Sequence, residues 1–599
     1  MIYHCEDHTC NYWDEGEKLP ERCPQCGRKL LRANEADMTG DDWTALGNTL
    51  WDAEASDKKR MVDCFRKAAY LGSAWGVCNL GICMEQGNGV EADPVQAFWL
   101  YQQAVEMGSL NAVCCLGVCY QYGIGTAPDA KQAAELYCKA AEYGSPRGQM
   151  LLARAFHDGI GVEADAAEAV YWVRAAAYQR YGEGMHRLGV CYEYGDGVEQ
   201  NWERAVHWFR EAAESGVSVA MADLGYCYEK GCGVEQSWEQ AFSWYRRSAE
   251  CGNPVSMSNL GLCYQMGYGV EQNWQEAIKW YEQGAQCGDL QSMHNLACCY
   301  EGGEGVEQNE DRAFYWYRRS AEGGHGSAMC NLGRCYKRGY GVEQNWQEAV
   351  KWYEQGAQCG NLQSMHNLAC CYEHGEGVEQ NMTEAIRWYT AAAEGGNADD
   401  MYELGWQYDH GEGVEQDMKK AICWYERAAE QNHPAAMNSL GECYAMGRGV
   451  PRDLETAMEW YRRAAELGEA MADYNMGWHL EQAGKLSEAY AHYRKAADGN
   501  DDSAWWALGR FYENGVVVAQ DGKEARRCYE TGEKLGSVKC KMRLARCKLL
   551  GIGGRREKKA GLDLCRQALE LAKESSEKED YGYEAEMNLL RRTIAENES

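Results

Sequence analysis

Apolar positions along the chain follow two alternating helical patterns. The first pattern places four residues on one helical face, at Met221, Leu224, Cys227 and Tyr228. The second, within 237–252, places five on one stripe, at Trp238, Ala241, Phe242, Tyr245 and Ala249. Gly231 predicts the end of the first helix, because glycine enters the left-handed region without a steric penalty. Ser237, like Asn201 and Asn273 elsewhere, predicts the N-cap of the second helix.

This helix pair recurs every 36 residues. A Gly-x-Gly turn marks eleven consecutive copies, with its first glycine at Gly87, Gly123, Gly159, Gly195, Gly231, Gly267, Gly303, Gly339, Gly375, Gly411 and Gly447. A Leu-Gly or similar pair extends the array from Leu46-Gly47 to Leu544-Ala545, which gives fifteen units. One helix pair cannot bury its apolar face alone, whereas stacked copies can. The pattern therefore predicts an all-α solenoid with a long groove.

The consensus LGxCYxxGxGVEQNWxxAxxWYRxAAExG resembles the Sel-one-like repeat family, which is related to tetratricopeptide repeats, over about residues 41–572. The resemblance implies a right-handed α-superhelix that acts as an adaptor or scaffold for other proteins, without catalysis. We divide the chain into a zinc-ribbon-like module (1–32), a linker (33–42), the repeat solenoid (43–572) and a C-terminal capping helix (573–599).

Charge and hydropathy narrow the possible partners. The formal net charge is -32, from 60 basic and 92 acidic residues, which opposes general binding to nucleic acid or anionic membranes. No apolar run approaches the roughly 18–20 residues of a membrane span. The start, MIYHCEDHTC, lacks the basic and apolar regions of a secretory signal. We therefore expect a cytoplasmic protein that does not bind membranes.

Nine of the 30 cysteines occupy one equivalent position in the repeats. This position, two residues after the Leu-Gly glycine, holds Cys83, Cys119, Cys191, Cys227, Cys263, Cys299, Cys335, Cys371 and Cys443. Equivalent residues on stacked helices lie about 8–10 Å apart, beyond the roughly 7 Å Cα limit for a disulfide. We predict buried free thiols in a reducing compartment.

The N-terminal cysteines form a different pattern. Cys5, Cys10, Cys23 and Cys26 make two pairs, of which the second, Cys-Pro-Gln-Cys-Gly, is a typical zinc knuckle. Because the first pair is more widely spaced than usual, His8 is an alternative ligand to Cys10. A segment of this size has no core of its own, so we predict a structural zinc ion.

Asparagine precedes the Leu-Gly pair in four consecutive repeats, at Asn259, Asn295, Asn331 and Asn367, and also at Asn79 and Asn475. In tetratricopeptide repeats this position faces the concave groove. An amide both donates and accepts hydrogen bonds, so it suits an extended peptide. The alternative is a structural ladder in which the amides join neighbouring helices.

A basic segment interrupts the acidic background near the end of the array. Residues 539–559 hold nine cations and one acid. Arg555, Arg556, Lys558 and Lys559 are candidates for docking an acidic partner or a phosphate-bearing ligand. The alternative is a solvated terminal face, or a self-complementary contact with the acidic array. The Val-Glu-Gln-Asn loops, as at Glu199-Gln200, are expected only to solvate one edge.

The chain has no P-loop, GxSxG or HExxH motif. A catalytic site usually interrupts the regularity of a repeat, and here only the two ends of the chain interrupt it. We predict a non-enzymatic scaffold that binds a protein or peptide along its groove. The alternative is a nucleic-acid-associated regulator that uses the zinc ribbon and the 539–559 segment.

Overall fold

The computed structural model describes residues 2–5, 13–15, 30–32, 35, 38–51, 55–578 and 584–598. The chain divides into two compact units, Met1–Asn309 and Glu310–Ser599. From residue 40 onward every regular element in the described ranges is a helix, and fifteen helix pairs follow one another. The predicted all-α repeat architecture is therefore confirmed.

In its described ranges the first unit contains three strands followed by fifteen helices. The elements are β1 (Ile2–Cys5), β2 (Trp13–Glu15), β3 (Leu30–Arg32), α1 (Gly40–Thr49), α2 (Ala55–Tyr70), α3 (Ala74–Gln86), α4 (Pro94–Glu106), α5 (Leu110–Tyr122), α6 (Ala130–Glu142), α7 (Pro146–Asp158), α8 (Ala166–Tyr178), α9 (Gly182–Tyr194), α10 (Trp202–Glu214), α11 (Ser218–Lys230), α12 (Trp238–Glu250), α13 (Pro254–Met266), α14 (Trp274–Gln286) and α15 (Leu290–Gly302).

In its described ranges the second unit contains sixteen helices, and the last of them follows the repeated helix pairs. The elements are α16 (Glu310–Glu322), α17 (Gly326–Arg338), α18 (Trp346–Gln358), α19 (Leu362–His374), α20 (Met382–Glu394), α21 (Ala398–His410), α22 (Met418–Glu430), α23 (Pro434–Met446), α24 (Leu454–Glu466), α25 (Ala470–Gln482), α26 (Leu486–Asp498), α27 (Asp502–Asn514), α28 (Gly522–Lys534), α29 (Val538–Leu550), α30 (Lys558–Lys578) and α31 (Glu584–Glu598).

A buried tyrosine joins the two helices of most pairs. Tyr245 of α12 is 1% exposed, and a Cβ atom on Gly225 of α11 would lie 2.7 Å from its ring. The Tyr245 hydroxyl donates a hydrogen bond of 2.8 Å to Glu229. The same bond, between residues 16 apart, recurs at Tyr101–Glu85, Tyr137–Gln121, Tyr281–Gln265, Tyr389–Glu373, Tyr425–Asp409 and Tyr529–Glu513. The small residue of the Leu-Gly pair therefore makes room for this ring.

The turns inside the pairs follow the predicted glycine chemistry. Gly231 caps α11 with a φ of 74°, and Ser237 accepts a hydrogen bond from the backbone N–H of Gln240. The second glycine of the turn, Gly233, packs against the preceding repeat, where a Cβ atom would lie 2.4 Å from the carbonyl oxygen of Trp202. The Gly-x-Gly pattern thus combines a helix stop with a close contact between repeats.

The Val-Glu-Gln loops do more than solvate an edge, which corrects the expectation from the sequence. Gln236 donates a hydrogen bond of 2.8 Å to the carbonyl oxygen of Glu229, in the last turn of the first helix. Gln200, Gln272 and Gln520 make the same bond in their own repeats. The glutamine side chain therefore satisfies a carbonyl that the helix end leaves unpaired.

At the N-terminus, β1 lies between β2 and β3 in an antiparallel sheet. Ile2 pairs with Glu15, and Tyr3 pairs with Arg32. The first repeat helix, α1, begins at Gly40, inside the segment that the sequence assigned to a linker.

The C-terminal cap begins later than residue 573, because α30 continues to Lys578 and the separate helix α31 starts at Glu584. Met587 and Leu590 of α31 pack in one apolar cluster with residues of α29 and α30. The last helix covers the end of the array as an amphipathic cap.

Candidate protein-binding face

The first helices of the pairs expose one stripe of residues, spaced i, i+4, i+7 and i+11 along each helix. We define the first-helix face as this stripe on α7, α9, α11, α13 and α15. Its members are Arg147, Leu151, Arg154, Asp158, Glu183, Arg187, Val190, Tyr194, Val219, Asp223, Tyr226, Lys230, Val255, Asn259, Leu262, Met266, Gln291, Asn295, Cys298 and Gly302. All are exposed or half-buried.

Apolar side chains are exposed on three successive helices of this face. On α13, Val255, Leu262 and Met266 are 56%, 41% and 50% exposed. Tyr194 on α9 and Tyr226 on α11 continue the apolar surface, at 73% and 45% exposed. Contiguous exposed apolar surface with aromatic residues is typical of protein interaction sites.

Two of the four candidate asparagines lie on this face. Asn259 is half-buried between the exposed apolar residues of α13. Asn295 accepts a hydrogen bond of 2.8 Å from Gln291, one turn earlier on α15. Asn331 and Asn367 hold the equivalent positions on α17 and α19, in the second unit, and both are half-buried.

At other copies the amide bonds to the preceding repeat, as the ladder alternative requires. Asn367 donates to the sulfur of Cys330 at 3.3 Å. Asn475 donates to Asn438 at 3.0 Å, and Asn79 donates to Asn48 at 2.8 Å. The asparagine position therefore holds repeats together at these three places.

A cavity of about 290 Å³ opens on the first-helix face between α7, α8 and α9. Its floor is apolar and its rim is charged. The imidazole of His157 bonds Asp158 at 2.6 Å and Asp196 at 3.2 Å, and the hydrogen bond from His157 lowers the pKa of Asp158. The sequence analysis did not predict this site, because it treated the repeat as interrupted only at the two ends of the chain.

Each arginine on the cavity rim already has a carboxylate beside it. Arg154 lies 3.4 Å from Asp158, and Arg187 lies 3.9 Å from Asp196. Glu183 adds a third acid. The rim is therefore polar without an excess of positive charge.

The basic 539–559 segment is partly used inside the chain. Arg543 makes two bonds of 2.7 Å to the carboxylate of Glu586 on α31, and Arg546 pairs with Glu513. Arg556 holds the loop position of Gln236 and donates in the same way, to the carbonyl oxygen of Leu549 at 3.0 Å.

The remaining basic candidates, Arg555, Lys558 and Lys559, are exposed. Arg556 also donates to Asn597 at 2.6 Å. Arg543 and Arg556 therefore fasten the last helix, while the other three candidate cations lie at the surface.

The cysteines from Cys64 to Cys565 are all free thiols. Burial raises the pKa of Cys227 to about 12, so this thiol is protonated and unreactive at neutral pH. The prediction of buried free thiols is confirmed for the repeat position two residues after the Leu-Gly glycine, for which Cys227 stands as the example.

One polar cluster in the second unit joins α19 to α21. His366 donates from Nδ1 to the buried carboxylate of Asp400 at 2.8 Å, and its Nε2 lies 3.6 Å from the sulfur of Cys370. The bond to Asp400 raises the pKa of His366 to about 10. The imidazole is therefore charged at neutral pH.

The zinc prediction concerns residues that are mostly outside the described ranges. Cys5 ends β1, the central strand of the sheet, while Cys10, Cys23, Cys26 and His8 lie outside the described residues. Within the ranges described, no group of three His, Cys, Asp or Glu side chains is placed to hold a metal ion. The zinc site stays a prediction.

None of the helices in the described ranges is long and apolar enough to cross a bilayer.

Known proteins share this repeat. The Sel1 repeat family model matches fourteen consecutive segments between residues 76 and 573. The crystal structure of c5321, a protective antigen present in uropathogenic Escherichia coli strains displaying an SLR fold, is 32% identical, with a TM-score of 0.53. The match covers 75% of this chain and 97% of that one.

A Sel1 repeat protein from Oxalobacter formigenes is 33% identical over 41% of this chain and 96% of its own, with a TM-score of 0.38. No curated protein matches the chain. The repeated family match over most of the length, together with the helix pairs, establishes that the chain belongs to the Sel1 repeat family.

Proposed function

We propose that this protein is a scaffold that binds a segment of a partner protein along the first-helix face. Repeat solenoids of this kind are typical of protein-interaction scaffolds, because stacked repeats present an extended surface. The observation that carries the proposal is the exposed apolar surface on α9, α11 and α13. Every helix of the repeat buries apolar residues in the core, but Tyr194, Tyr226 and Leu262 remain at the surface.

The polar groups of the face suit a bound peptide. Asn259 lies among exposed apolar side chains, and its amide can pair with both the N–H and the C=O of an extended backbone. Apolar residues around it would exclude water from those bonds. We keep Asn295, Asn331 and Asn367 as candidates at the equivalent positions.

Two further elements are part of the proposal. Arg555, Lys558 and Lys559 form an exposed cationic surface near the end of the array, suited to an acidic segment of the same partner.

A structural zinc ion held by Cys5, Cys10, Cys23 and Cys26 would hold the N-terminal module together. The position of Cys5 in the chain, at the end of the central strand β1, supports this part of the proposal.

The test is recovery of partners from the protein's own cells with matched baits. One bait carries Tyr226→Glu and Leu262→Glu on the first-helix face. Its control carries Trp99→Glu and Tyr171→Glu, two apolar residues that are exposed on second helices. The proposal predicts that the first bait loses a protein that the wild type and the control both recover. Equal recovery by all three baits would contradict it.

A bait with Asn259, Asn295, Asn331 and Asn367 changed to Ala separates the two roles of asparagine. Loss of the same partner, with helicity and melting unchanged, would support capture of peptide backbone. A lower melting temperature with the partner retained would make the asparagines structural.

A further inference from the structure

The repeat at residues 146–181 lacks the aromatic ring that joins the two helices of its neighbours. Counting in steps of 36, the position of Tyr137 and Phe209 falls on Val173. Apart from Cys565 in the last pair, every other pair has tyrosine or phenylalanine there. In the same repeat, His157 replaces the carboxylate or amide that accepts the tyrosine hydroxyl elsewhere.

The cavity on the first-helix face lies at this missing ring. Its floor includes both Val173 and Ala153, which are the counterparts of Tyr245 and Gly225. In the repeat of Tyr245 the phenol ring fills the space between those two positions and is 1% exposed. At about 290 Å³ the cavity is larger than an apolar cavity of roughly 150 Å³ that binds benzene.

The rim selects among aromatic groups. Arg154 and Arg187 lie beside Asp158 and Asp196, and Glu183 adds a further negative charge. A neutral phenol can donate its hydroxyl to these carboxylates, as tyrosine does to Glu229 in the regular repeat. A phosphorylated phenol would bring two more negative charges to a rim without a spare cation.

We propose that this cavity binds the unmodified tyrosine side chain of the partner segment that lies on the first-helix face. The inference rests on the proposed function, since the rim residues Arg154, Asp158, Glu183 and Arg187 belong to that face. The partner's ring would replace the ring that the repeat itself lacks.

The first test uses p-cresol, the tyrosine side chain as a free molecule, with the full-length protein. Saturation-transfer NMR and titration should show one saturable site, with a dissociation constant in roughly the millimolar range for so small a ligand. 4-Methylphenyl phosphate should neither bind there nor compete.

Variants that fill the cavity test whether p-cresol binds there. Val173→Tyr, alone or with His157→Glu, supplies the missing ring and its acceptor. The chain already contains the same combination in Ala369, Glu373 and Tyr389, where the tyrosine is buried and bonds the glutamate at 2.6 Å. Val118→Tyr is the control, because it adds a tyrosine outside the cavity at the repeat position that Tyr226 holds.

We expect at least tenfold weaker p-cresol binding by the filled variants and unchanged binding by Val118→Tyr. Absence of saturable binding to the wild type, or equal binding by a folded filled variant, would overturn the proposal. If Val173→Tyr alone lowers the melting temperature, the double variant with His157→Glu is used for this measurement instead.

Partner recovery distinguishes this inference from the function on which it rests. If Val173→Tyr reduces recovery of a partner that Val118→Tyr retains, the cavity holds a residue of that partner. If p-cresol binds but Val173→Tyr recovers the partner as the wild type does, the cavity is not used by the partner, and only the binding face remains. Loss of the partner with Tyr226→Glu and Leu262→Glu tests only whether the first-helix face binds the partner, and not whether the cavity does.

Discussion

Replacing Gly233 by alanine should weaken the contact between neighbouring repeats. Gly233 has a φ of 70°, and its added Cβ would lie 2.4 Å from the carbonyl oxygen and 2.5 Å from the carbonyl carbon of Trp202. Gly252 is the matched control, because its φ is 86° but a Cβ atom there would meet nothing within 4 Å. The two substitutions share the backbone strain and differ only in the contact.

The size of the effect follows from these two contributions. A left-handed backbone costs a non-glycine residue roughly 1–2 kcal/mol, and both variants incur it. Overpacking against backbone atoms costs about 1–3 kcal/mol more, and only Gly233→Ala incurs that. We therefore expect Gly233→Ala to lower local stability by about 1–3 kcal/mol more than Gly252→Ala.

Amide hydrogen exchange measures this difference locally, which suits a long array that need not unfold in one step. Each variant is compared with the wild type in the helices beside its own glycine, α10 and α11 for Gly233→Ala and α12 and α13 for Gly252→Ala. The extra 1–3 kcal/mol corresponds to an increase in exchange that is about 5-fold to 150-fold larger for Gly233→Ala. Equal increases in exchange in the two variants would show that the second glycine is needed only for its left-handed backbone conformation. That result would refute the claim that it makes a close contact between repeats.

Three further predictions concern the ends and the polar cluster. The pKa of His366 is about 10, above its ordinary value of 6.5, so its pairing stabilises the fold fully below pH 6.5 and is lost as the pH rises through 10. NMR titration should show this, and Asp400→Asn should lower the pKa; an unchanged pKa would contradict the pairing. Cys23→Ser should remove zinc from a chain that otherwise holds one ion, as measured by metal analysis, and a wild type without zinc would exclude the site. Arg543→Met should speed proteolysis within α31, because it leaves Glu586 buried without its cation, and unchanged cleavage would show that apolar packing alone holds the cap.

Much of the repeat could be predicted from the sequence because its determinants are local. The apolar spacing around Leu224, the cap at Ser237 and the glycine at Gly231 act within a few residues of one another. Repetition every 36 residues confirms each signal in other copies. The helix pairs, their turns and the buried thiols followed from these signals.

The site was harder to predict because it depends on contacts between distant residues and on one irregular repeat. The pairing of Arg543 with Glu586 joins residues 43 apart, beyond the reach of any spacing rule. The absence of a ring at Val173 can be read from the sequence by comparing residues that lie 36 positions apart. Only the structure shows that a cavity remains there and that it opens on the first-helix face.

The most direct test of the account is hydrogen exchange of the complex with a partner recovered from cells. The account predicts protection of α9, α11 and α13 on binding, with the intervening second helices α10 and α12 unchanged. Protection confined to the second helices, or to the two ends of the chain, would contradict the claim that the first-helix face is the binding surface.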